Sequence, residues 1–418
     1  MICWAGDEQV KQVVVIGGGA AGMAAAIAAS DAGDRVVLLE RMDRVGKKLL
    51  ATGNGRCNLM NTSAPRYPGG EAFARQVLSA FGAARQMAFW HALGLGLREE
   101  DEGRVYPASG QASTVLDTLR LALDARHVRI LTGTRAEAIS RDDGGWAART
   151  DAGTVRGERI IVSGGGMAQS KLGSDGSCYG LLRSAGHTLI TPKPALTQIV
   201  TEAEKIRGLS GIRARACLTV KRDGQTLCTQ QGEALFTDYG VSGVCAMQCA
   251  RYAGKGATLH LNLLPGMGLA DARDAAEALR IRRKSWAEQP MERLLTGLCV
   301  PRLSSSLCAD AGVRWKDRLI GSLTEREVSA LSGVMADFAL RVQGVKGFDQ
   351  AQVTSGGICR EEFDPATMES RLAPGLYAAG EVLDVDGDCG GFNLMFAFAS
   401  GVLAGLAGRK YPDGEEHE

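Results

Sequence analysis

The sequence predicts an α/β protein whose first domain is interrupted by an insertion and completed by the C-terminal part of the chain. Three observations carry this reading. A strand, a glycine-rich turn and a helix follow one another from Val13 to Ser30, and a second strand follows at Val36–Leu39. From about Thr191 to Gly344 the pattern changes to alternating β segments and then helices. After Val353, short apolar runs that end in glycines return. Strands that alternate with helices read as a parallel sheet, and strict alternation reads as antiparallel strands. The expected domains are therefore 1–190, 191–344 and 345–418, the first and last forming one body.

The opening stretch is the most informative. Val13–Ile16 is a run of four β-branched residues, which suits a buried strand. It runs into Gly17-x-Gly19-x-x-Gly22, then a helix of small residues from Ala20 to Ser30 with Gly33 just beyond its end. Val36–Leu39 is the next strand, and Glu40 closes it. This is the dinucleotide fingerprint in its required βαβ context. Gly17 permits the turn, Gly19 lets backbone approach a pyrophosphate, and Gly22 lets the helix close on the strand. The helix start at Ala20 and Ala21 offers unpaired N–H groups to phosphates. Glu40 is placed to accept hydrogen bonds from the adenosine ribose. A transmembrane reading of Val13–Ser30 fails, because the stretch is too rich in Gly and Ala for its length and charges follow at once.

Composition narrows the class. Across 418 residues, 23% are charged and 45% hydrophobic, and the net charge is +1. These are ordinary values for a soluble globular protein and leave no electrostatic footprint for nucleic acid or an anionic membrane. Arg280, Arg282, Arg283 and Lys284 read as a solvated helix face. Met1–Lys11 lacks a cationic and an apolar region, so no signal peptide is expected. Eleven cysteines without a C-x-x-C pattern read as reduced cytoplasmic thiols. Cys245 and Cys249 suit one helical turn and match no zinc pattern, so no metal site is expected.

Beyond Glu40 come Arg41, a solvent-side or phosphate-side charge, and the run Gly46-Lys-Lys-Leu-Leu-Ala-Thr-Gly-Asn-Gly-Arg-Cys-Asn58. This run, with Gly232–Gly243, Gly375–Glu381 and Gly390–Leu394, resembles the signature of a bacterial flavoprotein family that includes aminoacetone-oxidase-like proteins and a bile-acid 4,6-reductase. The resemblance implies a split Rossmann-like FAD domain of glutathione-reductase type with an inserted β domain and a helical subdomain. It also implies that Lys48, Leu49, Thr52, Gly53, Asn54, Gly55, Arg56, Cys57 and Asn58 run along FAD toward the flavin ring. Ala136 would lie against the adenine, Gly164 and Gly165 near the cofactor, and Gly380 with Glu381 at the ribityl chain. The helix from Gly391 through Phe392, Asn393 and Leu394 would aim its positive end at the flavin.

Between these motifs the sequence reads as follows. Tyr67–Leu97 is amphipathic helix with Phe73, Val77, Phe81, Phe89 and Trp90 in the core and His91 an ordinary helix residue. Arg104–Pro107 is extended, Thr114–Arg126 helical, Val128–Thr132 and Arg135–Ile139 strands, and Gly145–Val155 a hairpin through Asp151–Gly153. Within the insertion, strands are expected at Leu196–Val200, Ala214–Lys221, Gln225–Thr229 and Thr258–Leu263, and a helix at Asp271–Trp286. Further helices occupy much of Pro290–Asp337, a strand returns at Phe338–Gln343, and the tail from Asp413 is polar.

The function expected is that of an FAD-dependent oxidoreductase, with an enone of steroid or bile-acid type as substrate. Reduced flavin would deliver hydride to the β-carbon, and Asp238 or Tyr239 would supply the α-carbon proton. Only one nucleotide fingerprint is present, so NAD(P)H binds transiently at the flavin or a protein donor replaces it. The alternatives are an amine oxidase that passes electrons to oxygen and a flavin-containing RNA-modifying protein; the absence of a basic stripe argues against the latter. Cys57 is expected to be a structural neighbour of the flavin, since no second cysteine stands a few residues away. The chain departs from many relatives at Asp238, where they carry His, and at Ala168–Ser170, where they carry Ser-Tyr-Pro. It also departs at Met395 and Phe396, where they carry Gln and Trp. Oligomeric state is not legible in the sequence.

Overall fold

The computed structural model describes residues 11–411. The segment expected to hold no export signal and the polar tail from Asp413 fall outside the described residues, apart from Lys11. Residues up to Lys193 together with Gln352 onward make one compact unit, and Pro194–Ala351 makes the other.

The first unit is built on a five-stranded sheet in the order Leu376–Ala378, Arg159–Val162, Gln12–Ile16, Arg35–Leu39, Arg129–Leu131. Every neighbouring pair is parallel. Val13, Val14 and Val15 in the central strand are fully buried, as a strand covered on both faces must be. Helix Ala20–Asp31 is buried continuously from Ala21 to Ala29. Its small side chains are explained by its partner, the last helix, Phe392–Leu406. A methyl group at Gly401 would stand 2.3 Å from the Ala21 carbonyl oxygen, and one at Gly405 would stand 2.4 Å from that of Ala25. The first and last helices thus meet backbone to backbone, which is how two distant pieces of chain complete one body.

The far end of that helix pair is held by charge. Buried Arg159 donates to the carbonyls of Ala404 and Gly405 at 3.1 and 2.8 Å, acceptors the helix end leaves unpaired. Its guanidinium also pairs with Asp34, which receives Arg409 as well. An antiparallel meander of Ala136–Asp142, Gly145–Thr150 and Gly153–Gly157 forms with its second turn at Asp151–Gly153. The amphipathic stretch after Tyr67 is two helices, Glu71–Ala80 and Ala83–Ala92, parted at Phe81 and Gly82. Their Phe73, Val77, Phe89 and Trp90, with Phe81, are buried, and His91 is exposed.

The second unit refines the expected strands. The inserted β domain, whose closure the sequence left unspecified, is a closed antiparallel barrel of six strands: Ile199–Thr201, Gly240–Ser242, Gln225–Phe236, Arg213–Arg222, Thr258–Asn262 and Phe338–Val345. The last of these pairs with Thr258–Asn262 on one side and Ile199–Thr201 on the other, so neither edge is left open. The strand expected from Leu196 begins only at Ile199, because Leu196 adopts φ +47° and breaks the extension. The strand expected to stop at Thr229 continues to Phe236. Helices Ala272–Ser285, Pro301–Asp310 and Glu325–Ala336 follow in the same unit. Asp271 caps the first through the N–H groups of Arg273 and Asp274, and Thr324 with Glu327 forms a capping box on the third. Among the described residues no helix is long and apolar enough to cross a membrane, and no cluster of His, Cys, Asp and Glu could hold a metal ion.

Candidate functional site

A cleft of about 1270 Å³, counted to its open mouth, lies wholly within the first unit. Gly17, Gly19, Ala20 and Ala21 form its floor. Gly17 has φ +106°, and a methyl there would stand 2.7 Å from the Ser163 carbonyl oxygen. At Gly19 a methyl would meet no atom of the described residues within 4 Å, so open space lies over it. Gly22 stands behind the floor, where an added methyl would lie 1.8 Å from the Gly17 carbonyl oxygen. The helix has no side-chain cap, and Met23 N–H donates to the Gly19 carbonyl at 3.0 Å. By helix geometry the N–H groups of Ala20, Ala21 and Gly22 have no intrahelical acceptor, which is the anion-binding arrangement.

Glu40 is buried, and two backbone bonds aim its carboxylate. Gly18 N–H donates to Oε2 and Met42 N–H to Oε1, both at 2.8 Å. Each oxygen keeps a lone pair for a ribose hydroxyl. Thr134, Arg135 and Ala136 line the wall nearby. Arg41 pairs with Asp175 at 2.7 Å and donates to the carbonyls of Ser170 and Gly173, so it straps the loop from Ser170 to Asp175 onto the cleft. That loop presents Ser174, whose buried hydroxyl has no partner among the described residues and which lines the cleft.

The other end of the cleft is built from both halves of the unit. Lys48 Nζ lies 2.6 Å from Glu381 Oε2, with each side chain about one-fifth exposed. Glu381 Oε1 accepts from Thr354 N–H at 2.8 Å, and Thr354 Oγ1 accepts from the N–H groups of Met167 and Ala168. The glycines at 164–166 fit only as glycines: added methyls would meet Cys178 Sγ at 2.1 Å, Ser174 Oγ at 2.8 Å and Thr354 Oγ1 at 2.4 Å. Gly380 also lines the cleft, with φ +75°. Asn393 and Leu394 line it from the first turn of the last helix, which likewise lacks a side-chain cap. Asn393 is fixed by exchanging hydrogen bonds with the Gly387 backbone at 2.9 Å.

The predicted residues fall into two groups. Gly17, Gly19, Ala20, Ala21, Glu40, Arg41, Lys48, Leu49, Thr52, Ala136, Gly164, Gly165, Gly380, Glu381, Asn393 and Leu394 line this one cleft. Gly53, Asn54, Gly55, Arg56, Cys57 and Asn58 do not, and neither do Gly391 and Phe392. The run from Gly53 has left-handed φ values at Gly53, Asn54, Gly55 and Cys57. Arg56 then pairs with Glu100 at 2.5 Å and lies 4.1 Å over the Tyr106 ring. Cys57 is fully buried, and burial pushes its thiol up to about 12. Asn58 Oδ1 is buried without a hydrogen-bond partner among the described residues, and a methyl at Gly391 would stand 2.7 Å from it. Asp238 and Tyr239 belong to the barrel unit, in the turn between Gln225–Phe236 and Gly240–Ser242. Asp238 is exposed, and Tyr239 is half-buried with Lys346 Nζ 3.9 Å from its ring centre.

Sequence reasoning gave no role to Ser174, Ser177 and Cys178, which also line the cleft. The Gly173-Ser-Asp-Gly176 turn was visible, but a serine in such a turn usually serves the turn alone. Five basic residues (Arg41, Arg44, Lys47, Lys48, Arg135) face two acidic ones (Glu40, Glu381) on the lining. That balance, the open floor over a helix start and the unpartnered Ser174 hydroxyl fit FAD. The floor and Ser174 would hold its diphosphate half, Glu40 its adenosine ribose, and Glu381 the chain toward the flavin.

A family model described as the HI0933-like protein Rossmann domain matches residues 11–407. A 3-dehydro-bile acid delta(4,6)-reductase of Clostridium scindens is 37% identical over 414 residues, covering 96% of this chain and all of that protein. A ribosomal RNA dihydrouridine synthase of Escherichia coli is 27% identical over 395 residues, 93% of this chain and 95% of that one. Among solved structures, a 3-ketosteroid-delta4-(5alpha)-dehydrogenase from Rhodococcus jostii aligns over 97% of this chain and 98% of its own, at 18% identity and a TM-score of 0.47. The chain belongs to the HI0933-like Rossmann-domain family and is an FAD-dependent oxidoreductase.

Proposed function

We propose that this protein reduces a C=C bond conjugated to a carbonyl, in an enone of steroid or bile-acid type. The observation that carries the reading is the 37% identity to the Clostridium scindens reductase over that protein's whole length. FAD, once reduced, supplies the hydride. The chain's own part is to bind and bias that group. The uncapped start of helix Phe392–Leu406 favours negative charge near it, and Lys48 with Glu381 fixes the polar wall. The proton for the α-carbon is the role this reading gives to Asp238 or Tyr239. NAD(P)H is the external donor in this reading, and the cytoplasm its compartment.

Anaerobic stopped-flow tests it. Protein reduced with dithionite should be reoxidised faster by a Δ4- or Δ4,6-3-oxo steroid than by oxygen, with saturated ketone as product. Flavin reduced by aminoacetone and reoxidised quickly by oxygen would replace the reading with an amine oxidase.

A second reading has its own observation, the Escherichia coli relative at 27% identity. Uracil C5=C6 is conjugated to the C4 carbonyl, so making dihydrouridine reduces the same kind of bond. The readings differ in substrate, not in reaction type. Reoxidation by uridine within ribosomal RNA, with binding that weakens steeply with salt, would favour RNA. Reoxidation by free enone alone would favour the steroid.

A further inference from the structure

The barrel unit carries a thiol pair that the cofactor cleft does not use. Cys228, half-buried on strand Gln225–Phe236, and Cys249, the fully buried last residue of helix Val244–Cys249, hold their sulfurs 3.7 Å apart. Local adjustment from that contact reaches the bond length of about 2.05 Å that a disulfide needs. Cys245, one turn earlier on the same helix, is turned elsewhere: its thiol donates to the Glu233 carbonyl at 3.3 Å. The sequence spacing had drawn attention to Cys245 with Cys249; the fold gives Cys249 a different partner.

We propose that Cys228 and Cys249 form a reversible dithiol–disulfide site whose oxidant is a low-molecular-weight disulfide. Their unequal exposure orders the chemistry. Cys228 can be reached from solvent, whereas Cys249 cannot. The contact with Cys228 and burial both raise the Cys249 thiol far above its ordinary range, so the more exposed Cys228 is the sulfur that meets an external disulfide first. The Cys228 thiolate attacks one sulfur of RSSR and forms a mixed disulfide, expelling RS⁻. Cys249 then loses its proton and attacks the Cys228 sulfur, expelling the second RS⁻. The two protons from the protein thiols end on the two RS⁻ groups. The protein thiols lose two electrons together and RSSR gains them. The resulting bond ties the end of helix Val244–Cys249 to the barrel and closes a loop that contains Asp238 and Tyr239. Oxidation would thereby restrain the segment that carries the two candidate proton donors.

The test uses the full chain with its flavin, exposed to glutathione disulfide under native conditions and quenched with N-ethylmaleimide. Trypsin leaves Cys228, Cys245 and Cys249 on one peptide, since no Lys or Arg lies between Asp223 and Arg251; cleavage after Glu233 separates Cys228 from the other two. The expected result is a Cys228–Cys249 crosslink that dithiothreitol removes, with a raised thermal midpoint in the oxidised form. Cys249→Ser should stop at a glutathione adduct on Cys228, and Cys245→Ser should leave the crosslink intact. Complete maleimide labelling of both thiols after excess glutathione disulfide would overturn the proposal, as would a crosslink lost in Cys245→Ser. The wild-type peptide map alone decides the matter if Cys249→Ser does not fold.

Discussion

The two units bury their helices by different means. In the first, helices Ala20–Asp31 and Phe392–Leu406 touch through backbone, and glycines at 401 and 405 make the approach possible. In the second, helices Ala272–Ser285, Pro301–Asp310 and Glu325–Ala336 present Leu279, Leu303, Leu307, Val328, Leu331 and Met335 to their core. Side-chain packing tolerates repacking, whereas backbone contact does not. The difference follows from what each unit holds. A cleft whose floor is a helix start requires that helix to be placed to within a fraction of an ångström, while a barrel with covered edges specifies itself through its ladder.

The largest effect should come from the charge that pins the helix pair. Asp34→Asn leaves Arg159 and Arg409 without their carboxylate in a site where Arg159 is only 8% exposed. Uncompensated buried charge costs about 3–5 kcal/mol, read as a drop in urea midpoint with loss of bound flavin. Next, Gly401→Ala adds only a methyl, but that methyl meets the Ala21 carbonyl at 2.3 Å and the first helix must move. A loss of about 1–3 kcal/mol is expected, with weaker FAD retention on dialysis. Unchanged stability in either variant would break the comparison.

A smaller effect concerns the cleft alone. Glu381→Gln keeps an acceptor for Thr354 N–H but removes the charge that faces Lys48 at 2.6 Å. FAD should bind about tenfold more weakly, ~1.4 kcal/mol, by fluorescence titration of apoprotein, while the thermal midpoint without FAD moves little. A variant that keeps its affinity would mean that Glu381 is structural.

Acid should separate the units. His187 in the first unit sits between Glu362 Oε2 at 2.8 Å and Ser370 Oγ at 3.0 Å and stacks on Phe363. Burial lowers its pKa, against the opposing pull of Glu362. A lowered histidine supports stability above its unfolded value, about 6.5, and that support is lost as pH falls toward the folded value. In the second unit, the hydrogen bond from Arg318 pushes Glu327 down to about 2. Its support is present above the unfolded value of about 4.3 and is lost only as pH falls toward 2. Hydrogen exchange, corrected for the intrinsic rate, should therefore quicken in peptides around His187 between pH 7 and 5, while those around Glu327 hold.

The same contrast decides how much was legible in the sequence. Gly17 and Gly22 were readable because a close backbone approach admits only glycine, and Glu40 because the acidic residue of the fingerprint stands at a fixed distance along the chain. Lys48 and Glu381 were readable one by one, but their mutual contact was not, since 333 positions separate them. Gly53–Asn58 has the composition of a ligand loop, yet Arg56 is drawn off by Glu100 and Tyr106, partners that local sequence does not announce. Barrel closure was missed for a similar reason. Whether Phe338–Val345 has one neighbour or two is decided by where Ile199–Thr201 lies, and alternation within a strand carries no such information.

The smallest effect tests whether glycine matters equally in both units. Gly333 lies on the exposed face of helix Glu325–Ala336, and a methyl there would meet no atom within 4 Å. It pays the entropic cost of a helical glycine without any close approach in return. Gly333→Ala should therefore raise stability by about 0.5–1 kcal/mol, visible as a higher urea midpoint in barrel-unit probes with flavin affinity unchanged. The substitution is chemically the same as Gly401→Ala, and opposite signs are expected from the two. If Gly333→Ala destabilised the protein as Gly401→Ala does, the account of two packing modes would fail, because glycine would then be required in the second unit for a reason other than backbone contact.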